Sequence, residues 1–248
     1  MSAISGPPRA VYATAVETLA GSVVRALTGA DDAFRLADQI PLGGDPADQM
    51  AGLAAVRVLG SDALAPFVLA RHRFSAEDAD VVATSIRTFP VPEPDQIDRD
   101  DNTVLVRELR DWATGQALIG VGAPGRTHPY PEVAGPGAGR DRGWVEWTGM
   151  LAQLSPMAVP GLDSSLHADA RRHRLDVARG VTRAMLRRDP LTAARLARWL
   201  AASGEAPMDP PFPVEPVLRQ LVLVAKPDHR LRLEITIARY GLGRRDNE

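Results

Sequence analysis

The chain has 248 residues, 45% of them apolar, and a net charge of −2, so it can bury a sizeable core and lacks the composition of a disordered segment. It contains no cysteine, which excludes disulfides, cysteine-ligated zinc, iron–sulfur clusters and thiol catalysis. Lys226 is the only lysine among 29 basic residues; this arginine bias points to a GC-rich bacterial genome and sets aside Schiff-base chemistry and a Walker-type lysine.

Behind Pro8, the residues Val16, Leu19, Ala20, Val23 and Leu27 recur at helical spacing, with Glu17 and Arg25 on the opposite side, and predict a first helix. Asp31 and Asp32 cap a short helix carrying Phe34, Ala37 and Ile40. Asp45-Pro46 is an N-cap followed by proline at the first helical position, where its missing N–H costs nothing; that helix carries Met50, Leu53, Ala54 and Val56 and stops near Gly60. Ser61 starts another, with Leu64, Phe67 and Val68. Ser75 and Asp78 imitate a capping box ahead of Val82, Ile86 and Phe89, and Pro90, Pro92 and Pro94 end that element. Asn102 opens a sixth helix, with Leu105, Leu109 and Trp112, closed by Gly115.

Between Gly120 and Gly143 there are seven glycines and four prolines in 24 residues, a loop or linker texture. Beyond it, Trp144 to Leu154 forms a short helix and Ser165 to Arg188 a long one. The long helix has an apolar side of Leu175, Ala178, Val181 and Met185, and a polar stripe of Arg172, Asp176, Arg179, Arg183 and Arg187. Asp189-Pro190 repeats the Asp45-Pro46 start for a helix carrying Ala193, Leu196, Ala197 and Leu200, which Gly204 ends. The division expected is an acidic helical lobe at 1–115, a Gly/Pro-rich loop or linker at 116–143 and a basic helical lobe at 144–248. Residues 1–100 hold 8 Arg against 14 acids, whereas residues 163–248 hold 16 basic residues against 11 acids.

Residues 217–240 admit two readings. Leu231, Leu233, Ile235 and Ile237 alternate with Arg232, Glu234, Thr236 and Ala238, which is a strand pattern, and 226–229 would be a hairpin loop. The helical reading, which we favour, puts Asp228 at an N-cap, Gly241 past the C-terminus and Arg230 four residues from Glu234, where the two can pair. The run Pro227-Asp228-His229-Arg230-Leu231-Arg232-Leu233, continuing to Gly241, resembles the start of the second helix in HEAT-type repeats. The resemblance covers about 20 residues and implies stacked helical pairs with a concave binding surface. No fixed period runs through the rest. The expected fold is therefore mostly α: a multi-helical bundle or an irregular HEAT-like stack of helical pairs, with a short β-hairpin near the C-terminus as the alternative.

Several motifs give way to plainer explanations. Gly120-Val121-Gly122-Ala123-Pro124-Gly125 spells the dinucleotide fingerprint, but Pro124, Pro129 and Pro131 forbid the helix that must follow it, so no cofactor is assigned. Asp98, Asp100 and Asn102 begin an EF-hand pattern that fails at Thr103 and Leu109. Asp31-Asp32 and Asp100-Asp101 lack the partner motif of aspartate-rich magnesium sites and are better explained as caps. His167, Asp169 and His173 approach a two-histidine, one-carboxylate set, though 167 and 173 do not align on a helix, and no metal is assigned. Ser164, Ser165 and His167 are too close in sequence to make a catalytic pair by themselves, and no catalytic residue is assigned.

What remains is surface. Trp144 and Trp147 share a helix face beside the flexible loop, and aromatic anchors are enriched at binding hot spots. With the stripe Arg172, Arg179, Arg183 and Arg187, they are the candidate binding residues. The leading expectation is a non-enzymatic interaction module, an adaptor or scaffold whose partner is another protein. The second is an enzyme or small-molecule binder with a pocket between the lobes and the Gly/Pro-rich loop as lid. Nucleic-acid binding through the Arg-rich helix ranks third, because the overall charge is negative. Glu17 and Arg25 interrupt the apolar stretch of a signal peptide, and no run approaches the roughly 20 apolar residues of a membrane span, so a cytoplasmic location is expected.

Overall fold

Capping chemistry fixes where many of the helices begin. The Asp45 carboxylate accepts from the Ala47 N–H at 2.9 Å, Ser75 and Asp78 bond reciprocally as a capping box, and Asp189 and Asp228 accept from the N–H groups of Thr192 and Leu231. The computed structural model describes residues 9–31, 33–41, 43–91, 103–123, 129–131, 143–202, 212–224 and 228–243. These form α1 (Arg9–Leu27), α2 (Pro46–Leu59), α3 (Ala65–Leu69), α4 (Ala76–Thr88), α5 (Thr103–Gly120), α6 (Trp144–Gln153), α7 (Ser165–Arg172), α8 (Arg174–Leu186), α9 (Pro190–Ala202), α10 (Val214–Val224) and α11 (His229–Gly243). Short 3-10 turns occur at Ala37–Gln39, Gly60–Leu64 and Ser155–Met157. The fold is mostly α, with no strand among the described residues, and the C-terminal hairpin alternative is replaced by α10 and α11.

Several boundaries differ from the sequence reading. The element after Asp31 shrinks to the turn at Ala37–Gln39, although Phe34 and Ile40 are buried as expected. Gly115 lies inside α5, which continues to Gly120. The expected helix from Ser165 to Arg188 is broken at His173, whose ring sits edge-on to Trp147 at 6.0 Å. After the break α8 buries Val177, Ala178, Val181 and Ala184, so Leu175 turns outward instead of joining the core. Gly241 lies within α11 and packs against the Ala201 carbonyl of α9. The stretch Pro46–Leu69 is long and apolar enough to cross a membrane by length and composition, contrary to the reading that no run approaches that length; most of it is buried within the fold.

Two hydrophobic clusters form the interior. One gathers α1 to α3, part of α4 and the 34–40 segment around Leu19, Val23, Leu53, Leu64 and Phe67. The other surrounds α9, whose Ala193, Ala197, Trp199 and Leu200 pack against α6, α8, α10 and α11. Each fully buried large side chain contributes about 1.5–3 kcal/mol of transfer free energy. Neither cluster stops at the Gly/Pro-rich segment. Val106, Leu109 and Trp112 of α5 belong to the second. α11 serves both, sending Leu231 and Ile235 to one side and Leu233 and Ile237 to the other.

Where the clusters meet, a charged network is buried. Arg198 of α9 donates to both oxygens of Asp62, to Glu234 of α11 at 3.0 Å and to the Ala158 carbonyl at 2.8 Å. Glu234 also accepts from Ser155 at 2.8 Å and from Arg195 at 3.2 Å. Burial pushes the Asp62 carboxyl above its ordinary range despite Arg198. Burial acts the same way on Glu234, but Arg198, Arg195 and Ser155 outweigh it and hold that carboxyl below the usual value. Glu234 is thus taken by partners on other helices rather than serving mainly as a neighbour for Arg230.

Candidate functional site

The sequence-derived binding residues do not form one surface. Trp147 is fully buried in the second cluster and is a core side chain, whereas Trp144 is half-buried at the start of α6. Arg172, Arg179, Arg183 and Arg187 are all exposed, but the break at His173 puts Arg172 on α7. Arg179 and Arg183 remain on α8, Arg187 forms its C-cap, and Arg179 pairs with Asp176 at 3.0 Å.

The histidine set does not converge either. His167 Nε2 donates to the Met157 carbonyl at 3.0 Å, which leaves Nδ1 to accept from the Ser164 hydroxyl at 2.8 Å. Both ring nitrogens are engaged, and among the described residues no three metal-ligating side chains gather. Ser164 and His167 do bond, despite their closeness in sequence. Burial pushes the imidazole down to about 4, so it is a weak base in a place that disfavours the imidazolium a nucleophilic serine would create. The pair fastens the start of α7 to the turn at Ser155–Met157.

Gly122 explains the fingerprint-like glycines. It adopts φ 76°, its N–H bonds the Ile119 carbonyl, and the Ala123 N–H reaches back to Leu118. That is the left-handed Schellman end of a helix, not a phosphate cradle. Pro124 and Gly125, like Asp32, Asp98, Asp100, Asp101 and Asn102, lie outside the described residues.

The residues that sequence reasoning missed are apolar and outward-facing. Leu175 is 56% exposed, Leu186 81%, Val222 50%, Leu223 79% and Val224 61%. On α8, Leu175, Arg179, Thr182 and Leu186 follow one another at offsets of four, three and four, which places them in one line along the helix. Helix directions bring the rest to the same end. Arg195 and Arg198 reach Glu234 while Gly241 lies against Ala201, so α9 and α11 run parallel. Glu215 pairs with Arg239 at 3.0 Å, so α10 runs antiparallel to both. The C-terminus of α8, the N-terminus of α9 and the C-terminus of α10 therefore meet at one end of the bundle. There Leu186 stands among exposed Arg183, Arg187 and Arg188 on α8 and the turn that follows it, and Leu223 and Val224 stand at the end of α10. The one acid in the short α8–α9 connection, Asp189, caps α9. Single exposed leucines are ordinary on protein surfaces; three successive exposed apolar residues at the end of α10, Val222, Leu223 and Val224, are less so.

In comparisons with known families, characterised proteins and solved structures, none matches this chain.

Proposed function

We propose that the chain is a non-enzymatic helical interaction module that docks an acidic amphipathic helix of another protein on the end of the bundle formed by α8 and α10. The observation that carries this reading is the exposure of Leu186 and Leu223 at the ends of α8 and α10, with exposed Arg183, Arg187 and Arg188 around Leu186. Apolar anchors spaced along a helix, with charge around them, suit recognition of a complementary helix. The arginines would steer an acidic partner and the leucines would supply the buried contact. On the HEAT-like reading, stacked helical pairs would offer a concave surface to a partner.

A photo-reactive amino acid placed at 186 or 223 tests this in the native host, with position 87 on exposed Arg87 as the control. Cross-linking to one discrete protein from 186 and 223, and not from 87, is the expected result. Equal, diffuse cross-linking from all three positions would remove the docking surface.

A further inference from the structure

A separate cleft of about 600 Å³, which shares no residue with the docking surface, opens between α2, the end of α4 and α5. Ala54, Val58, Phe89 and Val106 give it an apolar side; Arg57, Arg107 and Arg110 give it a cationic one; among the described residues no Asp or Glu lines it. The three arginines are not equivalent. Arg57 is committed: its Nε donates to the Phe89 carbonyl at 2.8 Å, and its two terminal nitrogens hold the Asp111 carboxylate. Arg110 donates to the Val58 carbonyl, one of the last acceptors of α2. Burial pushes its guanidinium down to about 10; Asp62 counters part of that shift, and the charges of Arg195 and Arg57 add to it. Arg107 stands one turn earlier on α5 and is exposed. Once Asp111 has neutralised Arg57, the cleft keeps two cationic groups three residues apart on one helix, with Thr88 also in its lining.

We propose that this cleft binds a small organic phosphate, its dianionic head between Arg107 and Arg110 and its apolar body against Phe89 and Val106. Two guanidinium groups match the charge of a phosphate dianion better than that of a single carboxylate, and each can donate in a forked geometry to phosphate oxygens. The volume falls within the range of small-molecule sites, and the pairing of an apolar wall with a few convergent polar groups is what such sites share. The site is independent of the docking surface, so either can fail alone.

Phenyl phosphate is the probe, titrated calorimetrically at fixed ionic strength beside inorganic phosphate and benzoate. Phenyl phosphate should bind at least about tenfold tighter than either, and Arg107→Ala should weaken it by about tenfold or more, the loss of one charge-assisted contact. Arg179→Ala removes the same net charge from a distant exposed position and should leave the affinity unchanged. Equal affinity for inorganic phosphate would remove the apolar body from the site, and equal affinity for benzoate would remove the phosphate. No saturable binding, or binding that Arg179→Ala weakens as much as Arg107→Ala does, would overturn the site altogether.

Discussion

Arg198 grips Asp62 through two parallel N–H···O bonds of 2.6 and 2.9 Å, although the two residues stand 136 positions apart. The pair joins the turn after α2 to the central helix of the second cluster; Glu234 of α11 adds a second carboxylate, which Arg195 offsets. Asp62→Ala would leave Arg198 buried with one of its two anions missing. Removing one member of a buried pair costs about 3–5 kcal/mol when the remaining charge has no other partner; Glu234 still holds Arg198, so urea denaturation at neutral pH should show a smaller loss of about 1–3 kcal/mol. A loss below about 1 kcal/mol would mean that water reaches Arg198 readily.

His167 should make stability depend on acid. Its imidazole stays neutral in the fold down to about 4, whereas the unfolded chain takes up the proton near 6.5. In that window the unfolded imidazole binds more protons than the folded one, so His167 lowers stability as pH drops from about 6.5 towards about 4, its own contribution being roughly 3 kcal/mol. Glu234, held below its usual value, adds a further loss only at lower pH. Denaturation curves across this range should flatten in His167→Gln.

Gly180 and Gly149 form a contrasting pair. A Cβ on Gly180 would lie 2.9 Å from Leu196 and 3.1 Å from Thr148, where α8 meets α9 and α6. Overpacking costs about 1–3 kcal/mol against a gain in helix propensity of up to about 1 kcal/mol, so Gly180→Ala should destabilise by up to about 2 kcal/mol. Gly149 lies exposed in α6 with nothing near its Cβ position. Gly149→Ala should raise stability by about 0.5–1 kcal/mol. Thermal unfolding of the two variants should give shifts of opposite sign.

Arg188 ends α8 in a left-handed conformation, φ 57°, with its N–H bonded to Met185 and the Asp189 N–H bonded to Ala184. Gly29 and Gly122 occupy the equivalent positions after α1 and α5 with glycine's freedom to do so. Arg188→Gly should therefore stabilise the protein by about 0.5–1 kcal/mol, read as a higher urea midpoint at unchanged slope.

Local signals made much of the helical fold legible. Asp45, Ser75, Asp189 and Asp228 act as the caps their positions suggest, because a cap depends on residues two or three places away. What escaped the sequence depends on distant partners. The alternation of Leu231, Leu233, Ile235 and Ile237 looks like a strand because α11 lies between two clusters and buries side chains on two sides. The break at His173 carries no glycine or proline to announce it, and it decides that Leu175 faces outward. Nothing in the sequence ties Arg198 to Asp62, 136 positions away; the two are buried as a pair. At the site, the arginines of α8 were legible as a stripe. Leu186 and Leu223 were not, since their exposure is set by how α8, α9 and α10 end together.

The most direct measurement is a double substitution, Leu186→Asp with Leu223→Asp, assayed for both stability and capture of the native partner. Both side chains stand in solvent, so the melting temperature should move little, in keeping with the roughly 0.5 kcal/mol typical of surface changes, while capture of the cross-linked partner is lost. Undiminished capture by a fully folded variant, or a collapse in stability showing that these leucines belong to the core, would contradict the account.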